Sequence, residues 1–274
     1  MAGGIIRSII TSHSPRMGIE KNAPDFTRGV IQGIRLLGEE VRAAKPDAVV
    51  LMSTHWVTTF PWYTTCHAVH EGVCVADEAP DLIPGIPYKW QGDPVLARAI
   101  VDEIKALEVM ANYNDTPNYS LDYGTVVPMQ YMDPDRELTL VSLGTCILAP
   151  LEECLRVGAA VRRAAEKTGK KVAMIGSTSF AHKIERGQDK WPPQEFMELD
   201  RRYIELLTSG RIAEAKRWLP EWGKQVVTEV GGRVHATVLG TMDETSERYT
   251  GVQHGPYGQS SASGNASVSI RPAH

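Results

Sequence analysis

The stretch DAVVLMSTHW, from Asp47 to Trp56, begins with a run of apolar residues and ends in small and polar ones. A short apolar run of this kind, bounded by polar residues, is typical of a strand that is buried on both faces of a sheet. His55 follows the run almost directly. Because ligands of open α/β sheets bind beyond the carboxyl ends of the strands, a histidine at this point is well placed to bind a ligand or to react.

Strands and helices alternate on both sides of this stretch. Upstream, residues 5–11 (IIRSIIT) predict a strand, and residues 24–46 carry apolar side chains at the spacing of an amphipathic helix. Downstream, residues 138–144 and 171–177 predict further strands, and helical patterns lie between and after them. The alternation indicates an α/β fold, a layered sheet with helices on both faces. Since no repeat or long linker divides the chain, we predict a single domain over residues 1–274.

Two segments of the chain predict irregular structure. Residues 79–87 are rich in proline, so we expect a loop there. Residues 255–270 (GPYGQSSASGNASVSI) consist mainly of small residues and predict a loop that leads into a final strand.

Composition excludes several classes of function. The chain has 29 basic and 33 acidic residues, a formal net charge of -4 and no basic run, so we expect no nucleic-acid partner. The apolar part of the amino-terminal segment is too short for a signal peptide or a membrane span, which predicts a cytoplasmic protein without a membrane partner. The four cysteines show no CxxC spacing, so neither disulfides nor a cysteine zinc site are predicted.

Three histidines each follow a different predicted strand. They are His13, His55 and His182. A single histidine in such a place is more often hydrogen-bonded scaffolding than a ligand, but their shared position predicts one common pocket. Imidazole is a frequent metal ligand and exchanges protons near neutral pH, so two of the three could hold a divalent ion while the third acts as acid or base.

Five separate segments resemble one known family. They are SHSPRM (residues 12–17), STHW (53–56), LDYGTVVPM (121–129), STSFAH (177–182) and SSASGN (260–265). In this order they resemble the class III extradiol ring-cleavage dioxygenases, the protocatechuate 4,5-dioxygenase superfamily, and most closely its homoprotocatechuate and 2-aminophenol branch. The resemblance implies a mixed central sheet with helices on both faces.

The resemblance also implies roles for individual residues. Members of this family hold Fe(II) with two histidines and one carboxylate, which leaves positions open for substrate and dioxygen. The two histidines correspond to His13 and His55. The family's acid/base histidine corresponds to His182, and a tyrosine that hydrogen-bonds the aromatic substrate corresponds to Tyr123.

The carboxylate is where this sequence departs from the family. Relatives carry a stretch similar to GEGNMHDTV, whereas residues 230–238 here are VGGRVHATV. Matching the two on His235 places Gly231 and Ala236 where the family has acids. Glu229 lies two residues before Gly231 and would serve only if the loop were shifted. Two neutral imidazoles leave a divalent charge uncompensated, so the sequence predicts an incomplete site and no metal in this chain.

A missing ligand implies a subunit role. By resemblance, the chain is expected to be the non-catalytic alpha subunit of 2-aminophenol 1,6-dioxygenase, paired with a homologous iron-bearing beta subunit in an α2β2 heterotetramer. The complex would open 2-aminophenol to 2-aminomuconic semialdehyde, with the aromatic substrate at the partner's site. One alternative is a self-sufficient Fe(II) dioxygenase for a catechol-like ring, with Glu229 as third ligand; another is a zinc enzyme on the same scaffold.

Overall fold

A computed structural model describes residues 3–273, whose strands form one ten-stranded sheet. In chain order the strands are β1 (Gly4–Thr11), β2 (Ala48–Thr58), β3 (Trp62–Thr65), β4 (Val69–Cys74), β5 (Ile86–Gly92), β6 (Ala111–Asn114), β7 (Thr139–Cys146), β8 (Lys171–Ser177), β9 (Tyr249–Ser260) and β10 (Ser263–Pro272). The predicted domain bounds also include Met1, Ala2 and His274, which lie outside the described residues.

The sheet is mixed. Its main path runs β4-β5-β7-β2-β8-β1-β10-β9, and β3 pairs with β6 and β7 beside it. The five central strands, from β5 to β1, are parallel, whereas β4 at one end and the β10–β9 pair at the other are antiparallel. Parallel strands need crossover connections, and the helices of this chain supply them.

Helices cover both faces of the sheet. They are α1 (Asp25–Ala44), α2 (Pro94–Lys105), α3 (Tyr123–Met132), α4 (Leu151–Thr168), α5 (Gln194–Thr208), α6 (Ile212–Gln225) and α7 (Arg233–Gly240). Helices α1 and α3 pack on one face, and the other five pack on the opposite face. The predicted α/β class with a mixed, doubly covered sheet is therefore confirmed. Within residues 3–273, no helix has the combination of length and apolarity that crossing a bilayer requires.

The apolar run before His55 is buried on both sides. Val49 and Leu51 point into the core under α1 and α3, while Val50 and Met52 point into the core on the opposite face. All four are fully buried. A strand covered on both faces needs no polar alternation, which explains why the sequence shows a continuous apolar run.

The final strand predicted in residues 255–270 is confirmed as β10, but the loop predicted before it is wrong. Most of this segment belongs to the antiparallel hairpin of β9 and β10, whose turn is formed by Ser261 and Ala262 in the left-handed region, with φ of 49° and 64°. The side chains are serine, glycine and alanine, so the strands lack the alternation of large apolar residues that would have revealed them. In the proline-rich segment, the loop ends where β5 begins at Ile86.

Candidate metal centre

The three predicted histidines lie at one edge of the sheet, on the neighbouring strands β2, β8 and β1. His13 follows β1, and His182 lies in the segment after β8. His55 lies within β2, which continues to Thr58, so the prediction that this strand ends before His55 is wrong. The pairing of β2 with β7 shifts register between Met52 and Val57, and His55 lies in this irregular part. The irregularity explains how a residue inside a strand can face the site.

Three side chains bring ligand atoms close together at this edge. The Nε2 atoms of His13 and His55 are 3.1 Å apart. Oε1 of Glu229 lies 3.4 Å from Nε2 of His13 and 3.7 Å from Nε2 of His55. Ligands at bonds of about 2.1 Å and near-right angles are roughly 3 Å apart, so these atoms are spaced approximately as one face of an octahedron. The donor set of two imidazoles and a carboxylate therefore fits a divalent metal such as Fe(II).

This cluster corrects the prediction of an incomplete site with no metal in this chain. Glu229 is buried and could supply the carboxylate, the role that the sequence gave it only in the alternative of a self-sufficient dioxygenase. Gly231 is exposed, and Ala236 lies on α7 with its side chain buried in the core. Neither lines the cavity at the histidines. Gly231 and Ala236, at which the sequence match lacks the family's acids, are thus not the positions that face the site.

The loop before α7 explains this difference. After Glu229 the chain passes through three consecutive left-handed residues, Val230, Gly231 and Gly232, with φ of 44°, 64° and 82°. This compact turn allows Glu229 to point into the cavity while the following residues turn away. Left-handed backbone costs a β-branched residue about 1–3 kcal/mol and occurs preferentially at functional sites. Position in the sequence alone does not show such a turn.

A serine orients the ring of His13 by a hydrogen bond to Nδ1, the nitrogen that faces away from Glu229 and His55. Its Nδ1 lies 3.0 Å from Oγ of Ser177, and that hydroxyl donates its proton to the carbonyl of Gly124 at 2.5 Å. Ser177 can therefore only accept from His13, which places the proton on Nδ1. The lone pair is then on Nε2, the atom that faces Glu229 and His55, and this is the tautomer a metal ligand requires.

His55 is held by the start of α3. Its backbone N–H donates to Oγ of Ser53 at 3.0 Å, and Ser53 donates to Asp122 at 2.5 Å. Asp122 also caps α3 by accepting from the backbone N–H of Thr125. A Cβ at Gly124 would lie 2.2 Å from Oγ of Ser53 and 3.2 Å from Cδ2 of His55, so only glycine fits. The LDYGTVVPM segment thus contributes support for the site as well as Tyr123.

The carboxylate of Glu229 has its own set of donors. Oε1 accepts the hydroxyl of Thr54 at 2.8 Å, and Oε2 accepts the backbone N–H of Ser179 at 2.8 Å. Burial would raise the pKa of Glu229, but His13, His182 and the Ser179 N–H together hold the pKa far below its usual range. The group is therefore an anion, which a divalent ion needs to balance its charge.

His182 and Tyr123 complete the cavity. Nε2 of His182 lies 3.7 Å from Oε1 of Glu229. Burial lowers the pKa of His182, although Glu229 opposes this effect, and the lowered pKa favours the neutral imidazole. The ring centroid of Tyr123 lies 4.0 Å from that of His55, and burial raises the pKa of its hydroxyl, which stays protonated. The three histidines and the tyrosine that the sequence indicated as site residues therefore line one cavity.

The cavity that these residues line has a volume of about 410 Å³. Sequence reasoning did not identify two charged residues at its wall, Arg16 and Glu78. Glu78 lies 3.7 Å from Nδ1 of His55 and is more than half exposed. Arg16 belongs to the SHSPRM segment, so that motif carried a signal for it, whereas the loop around Glu78 offered none.

Known proteins share both the sequence and the fold. Residues 7–263 match the family model described as the catalytic LigB subunit of aromatic ring-opening dioxygenase. The chain is 28% identical to 3,4-dihydroxyphenylacetate 2,3-dioxygenase of Escherichia coli over 219 residues, which cover 77% of this chain and 79% of that protein. It is 26% identical to the beta subunit of 2-aminophenol 1,6-dioxygenase of Pseudomonas sp over 252 residues, covering 83% and 82% of the two chains. The alpha subunit of that enzyme is 25% identical over 215 residues, covering 76% and 78%.

A solved structure shows the same fold. The crystal structure of an uncharacterized protein of Escherichia coli K12 superimposes with a TM-score of 0.68 at 19% identity, covering 96% of this chain and 99% of that one. Since the family model extends over well more than half of the sequence, the chain belongs to the LigB family of extradiol, aromatic ring-opening dioxygenases.

Proposed function

We propose that this chain holds its own Fe(II) ion with His13, His55 and Glu229, and that it opens the ring of a catechol-like aromatic with dioxygen. The observation that carries this proposal is the position of Glu229, whose Oε1 lies within 3.7 Å of Nε2 of both histidines. The proposal is thus the self-sufficient dioxygenase that the sequence left as an alternative, with Glu229 as the third ligand.

The charges of the donor set support this role. When bound, Fe(II) supplies open coordination positions at which an aromatic with two adjacent oxygen atoms and dioxygen can meet. Two neutral imidazoles and one carboxylate offset half of its dipositive charge. The remainder favours a substrate that binds as an anion, and a catechol becomes one by losing a hydroxyl proton.

His182 and Tyr123 are placed to handle that proton and the substrate. A neutral imidazole at His182 can accept the proton of a substrate hydroxyl on Nε2, and Glu229, 3.7 Å away, stabilises the imidazolium that forms. The protonated hydroxyl of Tyr123 can donate a hydrogen bond to the bound aromatic oxygen. Both side chains line the same cavity as the proposed ligands, so neither role requires a rearrangement of the backbone.

A second candidate is the alpha subunit of a 2-aminophenol 1,6-dioxygenase, paired with a homologous iron-bearing subunit. The 25% identity to the Pseudomonas alpha subunit supports it, but the beta subunit is as similar, at 26%. The main argument for this role was a missing iron ligand, and Glu229 removes that argument. We therefore place it second.

The test uses the chain on its own. The purified protein is loaded with Fe(II) without oxygen, its iron content is measured, and oxygen uptake is followed with 3,4-dihydroxyphenylacetate, catechol and 2-aminophenol in turn. We expect one iron per chain and oxygen-dependent ring opening of a catechol. An inactive chain that supports ring opening only with a homologous partner, and does so equally after His13→Ala or His55→Ala, would overturn the proposal in favour of the subunit role.

A further inference from the structure

We propose that Asp200 is a positioning residue that holds the backbone of His182 in place for proton transfer. The inference rests on the proposed function, since it assumes that His182 exchanges a proton with the substrate. Asp200 lies on α5, outside the cavity, and touches neither the proposed metal ligands nor the space for the substrate.

Asp200 is fully buried and accepts three hydrogen bonds. Its Oδ2 accepts the backbone N–H of Ala181 at 2.9 Å and the hydroxyl of Tyr257 at 2.6 Å. Its Oδ1 accepts the indole N–H of Trp222 at 3.2 Å. All three donors are neutral, so the carboxyl is held by hydrogen bonds and not by an ion pair.

The contact with Ala181 is the link to the site. Ala181 immediately precedes His182, and its N–H is buried. On the other side of this segment, the N–H of Gly264 donates to the carbonyl of Ala181 at 2.7 Å, and the N–H of Phe180 donates to the carbonyl of Gly264 at 2.9 Å. The N–H of His182 donates to Val226 at 3.2 Å. Asp200 therefore adds a side-chain hydrogen bond to the backbone bonds that fix the main chain next to His182.

Gly264 shows that this arrangement is tightly fitted. A Cβ at this position would lie 2.0 Å from Oη of Tyr257 and 2.6 Å from Oδ2 of Asp200. The glycine of the SSASGN segment thus makes room for Tyr257 and Asp200 against the strand that pairs with the His182 segment. Its small size therefore serves the support of the segment that carries His182.

The cost of this carboxyl is a second indication. Burial raises the pKa of Asp200 to about 6, against the lowering effect of its three donors. A buried carboxyl without a cation is costly, and its three hydrogen bonds offset that cost only in part. Through Asp200 on α5, Trp222 on α6 and Tyr257 on β9 are connected to the N–H of Ala181, one residue before His182.

The test compares two substitutions that remove the same kind of group. Asp200→Asn keeps the size of the side chain but replaces one acceptor oxygen with a donor. The control is Asp133→Asn, because Asp133 is also fully buried and accepts an indole N–H, from Trp90 at 3.0 Å, and a backbone N–H, from Leu138 at 3.0 Å. Asp133 follows the last residue of α3, about 15 Å along the helix from Tyr123.

Two readouts separate positioning from simple stability. In the iron-loaded enzyme we expect Asp200→Asn to lower kcat at least about tenfold, with KM within twofold and full iron content, because small misplacements of a reacting group are costly. In the iron-free protein at pH 7.5, we expect the Cε1–H NMR signal of His182, assigned by its loss in His182→Gln, to shift or broaden. Asp133→Asn should change neither readout, although it should lower stability by a similar amount.

Equal effects of the two variants on kcat, with the His182 signal unchanged in both, would overturn the proposal and leave Asp200 as a residue of the core. If Asp200→Asn does not fold, Tyr257→Phe removes one of its donors and should move the same signal to a smaller extent; an unchanged signal there would also overturn it. The NMR readout needs neither iron nor substrate. A shifted His182 signal in a chain that opens no aromatic ring would therefore refute the proposed function and still support the role of Asp200.

Discussion

Replacing Glu229 with glutamine removes one negative charge and almost nothing else. The amide oxygen can still accept the N–H of Ser179, and the new N–H group can donate to Oγ of Thr54, whose hydroxyl rotates freely. Both partners lie 2.8 Å from the present carboxylate, so the hydrogen bonds are kept. The free energy of unfolding of the iron-free variant should nevertheless fall, because the surroundings that hold the pKa of Glu229 low favour an anion over a neutral amide.

The effect on metal binding should be much larger. Oε1 of Glu229 lies 3.4 Å and 3.7 Å from the Nε2 atoms of the two histidines. Two unit charges 4 Å apart interact by about 4 kcal/mol at an effective dielectric constant of 20. An ion bound among these atoms carries two charges, so about 4 kcal/mol is a lower bound. Since each 1.4 kcal/mol is tenfold, Fe(II) affinity should fall at least about a thousandfold.

Anaerobic Fe(II) titration followed by metal analysis measures this affinity, and urea unfolding of the iron-free protein measures stability. Glu78→Gln is the matched control, because Glu78 lines the same cavity but is more than half exposed and faces the other ring nitrogen of His55. It should leave iron binding within about tenfold. If the Glu229→Gln variant holds iron as tightly as the unmodified chain, the assignment of the third ligand is refuted.

Three further variants test other parts of the structure. Ser177→Ala removes the acceptor of the His13 Nδ1 proton, so Fe(II) affinity should fall about 10–100-fold in the same titration; an unchanged affinity would show that Ser177 does not set the tautomer. Val227→Gly relieves a left-handed φ of 54° at a half-exposed residue, and urea unfolding should show a gain of about 0.5–1 kcal/mol, whereas a loss would mean that the valine side chain matters more than its backbone. Burial of His70, aided by His67 and opposed by its bond to the carbonyl of Leu140, lowers the pKa of His70 to about 4. The unfolded chain therefore binds more protons, and stability should be lost as pH falls from about 6.5 to 4, by up to about 3 kcal/mol from this residue. Urea unfolding of His70→Gln at pH 7.5 and 4.5 should show a smaller loss than the unmodified protein, and an equal loss would contradict the assignment.

The sequence was most informative where the signal is local. The apolar run at residues 48–52 identified a central strand, and the rule that ligands bind beyond strand ends predicted a common pocket for His13, His55 and His182. The α/β class followed from the same alternation. Each of these predictions depended on a pattern within a short segment, such as an apolar run or the residue that follows it.

The prediction failed where position depends on backbone conformation. Glu229 reaches the histidines only because Val230, Gly231 and Gly232 adopt left-handed φ values in succession, and a match anchored on His235 does not register such a turn. The hairpin of β9 and β10 was missed because serine, glycine and alanine carry no apolar alternation. The partner subunit, the α2β2 assembly and the 2-aminophenol substrate stay predictions from resemblance.

The first turn of α3 supports both proposed histidine ligands. The carbonyl of Gly124 accepts a hydrogen bond from Ser177, which contacts His13. The carboxylate of Asp122 accepts a hydrogen bond from Ser53, which contacts the backbone of His55. A displacement of this helix would therefore disturb the supports of both rings at once. Glu229 comes from the loop before α7 and is tied to the pair through the hydroxyl of Thr54, the residue before His55. The two histidines and the carboxylate thus depend on different elements of the fold that meet at β2.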